Sequence, residues 1–199
     1  MAQVRRFRPE DLGDLYRVCL ETGDAGNDAT ALHDDPDLLG HVYVGAYARF
    51  QPDLAFVLED DEGVGGYVLG ALDTVAFEAR LEDEWWPPLR RRYPLPAGGT
   101  EHDAFLVHLI HTPHRRSGRL LETHPSHLHI DMVERCQGAG HGRRLMATLL
   151  DALRAAGSPG VHLGVSTRNE RAIGFYRHLG FEELAADDLS LTFGRTLGA

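Results

Sequence analysis

Residues 137–142 read Gln-Gly-Ala-Gly-His-Gly. An apolar stretch, 127–133, enters this turn, and Leu145, Met146, Leu149, Leu150 and Leu153 leave it at helical spacing. A strand that turns through three glycines into an amphipathic helix has few uses. Glycine takes positive φ without strain and lets another group come close to the backbone. The first amides of the following helix lack helical partners and carry partial positive charge. The unit is therefore either a cradle for a diphosphate or a plain tight turn. The chain contains no lysine, and all twenty of its basic residues are arginine. A lysine-dependent phosphate loop is thus excluded, and the dinucleotide pattern with its downstream acidic partner fits poorly. Lysine is equally excluded as a nucleophile or Schiff base.

The rest of the chain is spaced around that unit. Residues 4–8 predict a first strand, and Pro9 opens a helix with Leu12, Leu15, Tyr16, Val18 and Cys19 on one face. A polar stretch, 23–37, carries Asp24, Asp28, Asp34, Asp35 and Asp37, the last placed to cap a helix running to Phe50. Residues 54–58 and 67–72 predict strands joined at Asp60-Asp61-Glu62-Gly63. Residues 74–93 predict a helix interrupted at Pro87-Pro88. Thr100 with Asp103 forms a capping box for another helix through Ile110. After the turn come a strand at 161–166, a short helix capped by Asn169 and stopped at Gly180, and a closing hairpin at 181–184 and 189–193. This order predicts one mixed α/β domain over 1–199, with 74–119 inserted across one end of the sheet.

The segment from Asn169 to Phe181 reads Asn-Glu-Arg-Ala-Ile-Gly-Phe-Tyr-Arg-His-Leu-Gly-Phe. Ala172, Phe175 and Tyr176 lie at i, i+3 and i+4 and share a helix face. Phe175 and Leu179 are expected on the sheet, with Tyr176 one position off the core and its hydroxyl available as a proton donor. Phe175 and Phe181 read as core.

In this order and spacing, the two segments resemble the GCN5-related N-acetyltransferase (GNAT) superfamily. Gln137 to Gly142 is similar to its Gln/Arg-x-x-Gly-x-Gly/Ala acyl-CoA motif, and Asn169 to Phe181 to its Asn-x-x-Ala-x-x-Phe-Tyr-x-x-x-Gly-Phe segment. The resemblance is close over 128–195. It implies the GNAT fold: a mixed, mostly antiparallel central sheet flanked by helices. It also implies acetyl-CoA, or another acyl-CoA, as cofactor. Backbone groups of Ile130, Asp131 and Met132 would pair with the pantetheine arm. Gln137, Gly138, Ala139, Gly140, His141, Gly142 and Arg143 would hold the pyrophosphate. Asn169 would lie beside the pantetheine, and Tyr176 would protonate the leaving thiolate. A strand amide would receive the charge that develops on the acyl oxygen.

A narrower resemblance is carried by 35–40, 65–73 and 124–131. These are similar to the acetyltransferase-like C-terminal domain of animal O-linked N-acetylglucosamine hydrolases, which makes the chain look like a free-standing bacterial relative. That domain lacks the glycine-rich turn. The resemblance therefore brings an alternative to turnover: a catalytically silent module that binds CoA or a partner. The retained turn favours cofactor binding.

The expected reaction is acetyl transfer to an amine of a small molecule or peptide by direct attack, which a base assists. Counting back from Gln137, the family's base position falls on Ser126, which is no base. His127, His129 and Asp131 point to the opposite face of a regular strand, unless a bulge intervenes. Asp131 is the favoured base or substrate ligand; an inward carboxylate satisfied by local hydrogen bonds is the competing reading. Asp28 and Asp35 are candidate ligands for a cationic acceptor, against a plain solvated loop. Trp85-Trp86 either line an acceptor pocket or, as favoured, anchor the insertion. His108, His111 and His114, and His124, His127 and His129, have metal-like spacing, but Pro113 breaks the first set and no cysteine reinforces either, so no metal is expected.

Thirty acidic residues against twenty basic ones give a net charge of −10, which argues against nucleic acid as a partner. Two cysteines, Cys19 and Cys136, are too few for a disulfide framework. Residues 1–9 lack an apolar leader, and no apolar run approaches about 18 residues. The expectation is a cytoplasmic monomer or homodimer without membrane contact.

Overall fold

Apolar residues at 55–58 and 64–71 are buried without alternation, which places them in strands covered on both faces. In the computed structural model, which describes residues 2–198, seven strands form one sheet. They are Gln3–Arg6 (β1), Ala55–Asp60 (β2), Gly63–Ala71 (β3), Ser126–Met132 (β4), Gly160–Ser166 (β5), Glu182–Ala186 (β6) and Ser190–Thr196 (β7). Met1 and Ala199, the ends of the expected 1–199 domain, lie outside the described residues. The strand order is β1-β2-β3-β4-β5-β7-β6. Every pairing is antiparallel except β4 with β5. That parallel ladder holds only Ser126 to Val161 and His127 to His162. Beyond it the two strands part.

Nine helices are present among the described residues: Leu12–Glu21 (α1), Leu38–Tyr43 (α2), Gly45–Phe50 (α3), Thr74–Arg80 (α4), Trp86–Arg92 (α5), Glu101–His111 (α6), Leu120–Thr123 (α7), His141–Ala155 (α8) and Glu170–His178 (α9). None is long and apolar enough to cross a membrane. α1 and α3 pack on one side of the sheet centre, and α8 lays Leu145, Met146, Leu149, Leu150 and Leu153 against β2, β3 and β4. The mixed, mostly antiparallel sheet flanked by helices is the architecture that the sequence predicts.

Three local expectations change. The prolines at 87–88 do not end the helix begun at Thr74; α4 passes through a π turn, Leu81–Trp85, into α5, and the prolines sit in the first turn of α5. No N–H is required of them there. The helix expected from Asp37 to Phe50 breaks at Val44 (φ −128°, ψ −55°) into α2 and α3. Asp37 makes no side-chain cap; instead its amide donates to Asp35 Oδ1 at 2.9 Å.

The capping box of α6 is present, with Asp103 N donating to Thr100 Oγ1 at 3.1 Å and Thr100 N to Asp103 Oδ2 at 3.4 Å. It also reaches across the chain. His33 Nδ1 lies 2.8 Å from Asp103 Oδ1, Asp34 N donates to Oδ2 at 2.9 Å, and Thr100 Oγ1 donates to Leu32 O at 2.7 Å. The insertion thereby fixes the 30–34 loop. Burial opposes ionisation of Asp103, but the hydrogen bonds from His33, Asp34 and Thr100 outweigh it and hold the carboxyl below its ordinary value. A carboxyl lowered in this way stabilises the fold above its unfolded pKa and ceases to do so as pH falls through its folded one. Asp103→Ala is expected to cost about 1–3 kcal/mol at pH 7. In urea titrations the gap to the native chain should narrow steadily as pH falls below the ordinary carboxylate value; a gap that does not depend on pH would refute the ionic contribution.

Candidate active site

Because β4 and β5 part after His127 and His162, the later groups on the facing edge of β4 have no strand partner. Two continuous clefts open there. The first, about 530 Å3, runs between the end of β4, the 137–143 turn and α9. The second, about 390 Å3, lies between the middle of β4, the 22–33 loop and β5. Thr22, Gly26, Ile130, Asp131, Asn169, Ala172 and Tyr176 line both.

The turn is built by backbone geometry. Gly138, Ala139 and Gly140 have φ of 78°, 38° and 75°. A Cβ added at Gly138 or Gly140 would meet no protein atom within 4 Å, so their bare Cα atoms face open space. Gly142 serves packing instead: its Cβ would come within 2.9 Å of Met132 Cε and 3.2 Å of the Phe175 ring. His141 N donates to Gly138 O and Arg144 N to Gly140 O. Among the described residues, the Gly142 and Arg143 amides have no backbone acceptor, at the positive end of the 15-residue helix α8.

Side chains brace this turn. Gln137 Nε2 donates to Met132 O at 2.9 Å, and Arg171 donates to Gln137 Oε1. Arg143 Nη2 lies 2.6 Å from His178 Nε2. Arg143, Arg171 and His178 all line the first cleft, and the two arginines give its rim positive charge. His141 does not line it; its ring Nδ1 is buried without a hydrogen-bond partner.

Asn169 Oδ1 caps α9 by accepting from Ala172 N at 3.0 Å. Tyr176 departs from the sequence reading. It is the buried member of its pair, against Phe181 and Phe193 at ring distances of 5.8 and 5.9 Å, whereas Phe175 is only half-buried. The half-turn position next to the core stripe still reaches both clefts. Burial, with the Asp131 charge second, raises its hydroxyl pKa above the ordinary tyrosine value, so Tyr176 holds its proton at neutral pH.

No bulge interrupts β4, whose register with β3 runs unbroken from Ala71 opposite His127 to Gly66 opposite Met132. Ser126 is fully buried, donates to Leu72 O at 2.6 Å and lies 2.7 Å from Ser158 Oγ, facing neither cleft. The odd positions point to the α1–α3 side. Asp131 Oδ2 accepts from the Tyr67 hydroxyl at 2.6 Å, across the strand pair. Burial raises its pKa, and the Tyr67 hydrogen bond partly offsets that. His127 is tied to Tyr47 Oη at 2.7 Å and Thr74 Oγ1 at 2.8 Å.

The structure brings Ile130, Asp131, Met132, Gln137, Gly138, Ala139, Gly140, Gly142, Arg143, Asn169 and Tyr176 to one cleft. It does not bring Asp28 or Asp35 there. Asp28 Oδ1 accepts from Thr30 N and Thr30 Oγ1, and Asp35 Oδ2 accepts from Tyr93 Oη at 2.7 Å in a separate hollow of about 350 Å3. The loop carboxylate at the second cleft is Asp24, paired with Arg168 Nη2 at 2.8 Å. Trp85 anchors the insertion, donating from Nε1 to His41 O at 2.9 Å. Among the described residues, no group of three or more His, Cys, Asp or Glu is placed to hold a metal. Thr22, Gly26, Arg171 and His178 escaped the sequence reading. Only Gly26, in a polar loop between Asp24 and Asn27 and with φ 93°, carried a signal, namely a turn.

The family model described as the acetyltransferase (GNAT) family matches residues 27–181. The chain is 29% identical to rat Protein O-GlcNAcase over 185 residues, which is 92% of this chain and 20% of the rat protein. It thus spans about a fifth of the length of that relative. It is 37% identical to SsHAT, whose crystal structure superposes with a TM-score of 0.92 over 100% of this chain and 99% of the other. The fold also matches yncA from Salmonella typhimurium, solved with its cofactor acetyl-CoA, at 18% identity and a TM-score of 0.57 over 98% of this chain and 94% of the other.

Proposed function

The chain belongs to the GNAT acetyltransferase family, and from that premise we propose that it transfers an acetyl group from acetyl-CoA to an amine of a small molecule or peptide. The observation that carries this reading is the junction of the two clefts, where Asp131 and Tyr176 line both sides. An acyl-CoA supplies an activated thioester whose thiolate leaves more readily when it is protonated.

The residues present fit such a group. The open space beside Gly138 and Gly140 leaves room for a diphosphate at the free Gly142 and Arg143 amides. Arg143 and Arg171 supply the cationic rim that a chain of charge −10 must provide locally for a polyanion. The edge of β4 at Ile130, Asp131 and Met132 offers unpaired backbone groups to an amide-bearing arm, and Asn169 stands beside that path. Gln137 supports the turn through Met132 O and Arg171 rather than facing a ligand alone. The His141 amide is bonded to Gly138 O, so its contribution is to begin α8.

Tyr176 then serves as the proton donor to the leaving thiolate. Asp131, oriented by Tyr67, takes the proton of the attacking ammonium or holds the amine. Its raised pKa brings it closer to the operating pH of a base. Similarity to part of an O-GlcNAcase sustains a second reading, a silent acyl-CoA-binding module. Turnover separates the two. If acetyl-CoA binds and a broad amine panel releases no CoA above background, the module reading prevails.

Tyr176→Phe should lower kcat by about 100-fold, with acetyl-CoA affinity within about threefold by calorimetry; an unchanged kcat would remove its role. Gly140→Val adds a branched side chain where φ is 75° and the space beyond is open. It should weaken acetyl-CoA binding by about tenfold or more, while circular dichroism stays native; undiminished affinity would rule out the cradle. In a pH–rate profile, the acidic limb of kcat/KM should fall above the ordinary aspartate value and vanish in Asp131→Asn. A limb that persists in that variant assigns the base elsewhere.

A further inference from the structure

A third cavity, of about 220 Å3, continues the series along β4. The first cleft touches β4 at 130–132, the second at 128–131, and the third at His127 and His129 alone. The three therefore succeed one another along a single strand, with the acyl-CoA cleft at one end and this cavity at the other. Most of its wall comes from the 74–119 insertion. Phe77, Leu81, Trp86 and Leu109 face Tyr43 and Tyr47 from α2 and α3. The Tyr47 and Phe77 rings lie 4.6 Å apart with planes inclined by 31°, and the His127 ring meets both edge-on at 5.4 Å.

Several of the polar groups around it are already engaged. Glu78 Oε1 accepts from Arg116 N at 3.1 Å, and Glu82 is held by Arg90 through both oxygens, with Arg115 at 3.4 Å. His127 is spoken for by Tyr47 and Thr74. His129 makes no hydrogen bond among the described residues, and it lines both the second and the third cavities, with Tyr43 beside it at a ring distance of 5.8 Å. Burial, with Arg116 nearby, pushes its pKa down to about 4, so at neutral pH the ring is uncharged and can both accept and donate.

A cavity lined this way offers ring faces and edges to a flat apolar group. An apolar cavity of roughly 150 Å3 already takes benzene, and this one is larger. From His129 to Asp131 the strand advances roughly 7 Å, a step that half a ring, a linker of about two or three carbons and an N–H···O contact of about 2.8 Å together cover.

We propose that the third cavity is the acceptor's side-group subsite, and that it selects primary amines carrying a single aromatic ring on a short linker. The ring sits between the Tyr47–Phe77 pair and Trp86, and the linker passes His129 toward the junction of the other two clefts. The inference rests on the acyl-transfer reading for the direction of the amine, but the cavity's ligand can be measured without turnover.

The test compares 2-phenylethylamine with ethylamine by calorimetry on the full chain saturated with CoA, and by CoA release from acetyl-CoA. The ring should tighten binding by at least tenfold. Leu109→Phe, which fills the cavity from half-buried positions on α6, should abolish that preference and leave acetyl-CoA affinity and ethylamine binding unchanged. Val42→Phe fills it from the opposite wall and serves where the first variant does not fold. Equal affinity for the two amines, no binding of either, or a preference that survives both filled variants overturns the subsite. A ring preference in binding without CoA release supports the subsite and tells against acyl transfer. Release from ethylamine and 2-phenylethylamine at the same kcat/KM does the reverse.

Discussion

The parting of β4 from β5 after two parallel pairs governs the molecule. A backbone edge that loses its partner inside a sheet must find other partners, because buried N–H and C=O groups left alone are costly. Here the sheet stays continuous at its base, through Ser126 and His127, and opens above it. The opening is kept from closing by what lies at its margins. The N-terminus of α8 and the capped start of α9 flank one side, and the 22–33 loop flanks the other. Helix termini bring unpaired polar groups of their own. The cleft therefore collects the free β4 edge, the α8 amides and the polar end of α9 in one place, and a ligand or water that satisfies one set is adjacent to the others.

The regularity of β4 then divides its side chains by parity. Even positions, Ser126 and Leu128, pack inward, and the serine satisfies itself on Leu72 O and Ser158. Odd positions, His127, His129 and Asp131, face α1 to α3, and His127 and Asp131 are hydrogen-bonded there. Each is held differently. Asp131 is fixed by a cross-strand tyrosine, His127 is locked between Tyr47 and Thr74, and His129 is left open to the cavities. A single unbulged strand thus presents a fixed carboxylate and an unengaged imidazole at a spacing set by the strand repeat.

What the sequence made legible is the part whose determinants are local. The Gln137–Gly142 turn, the Asn169 cap, the Thr100–Asp103 box and the stop at Gly180 each follow from residues within a few positions, and each is found. What stayed illegible depends on partners far along the chain. Asp35 looks like its acidic neighbours, and only the fold commits it to Tyr93. Tyr176 and Phe175 exchanged places because helical spacing gives a face to within one residue, and the rings of Phe181 and Phe193 decide which neighbour is buried. Arg171 has no signal in its own segment; it matters because α9 crosses over Gln137. The prolines at 87–88 were read as a break because the pattern does not reveal that a π turn restarts the helix before them.

Charge shows how such distant pairings turn composition into function. A net charge of −10 would repel a polyanion if the acidity were spread evenly. It is not. Among the groups at the cleft, Asp24 is neutralised by Arg168. Asp131 lies deep on β4, with burial raising its pKa. Arg143 and Arg171 stand at the rim of the first cleft. Elsewhere Asp11 is bound through both oxygens to Arg5, and Glu82 to Arg90. At the edge of the third cavity Glu82 is held by Arg90 in the same way, whereas Glu78 accepts from the Arg116 amide. Arginine, the chain's sole strong cation, is what allows this: its planar fork holds a carboxylate with two parallel bonds. The sheet's opening is therefore cationic at one end and largely aromatic at the other, and the proposed reaction, placed between them, would join a polyanion to an apolar acceptor.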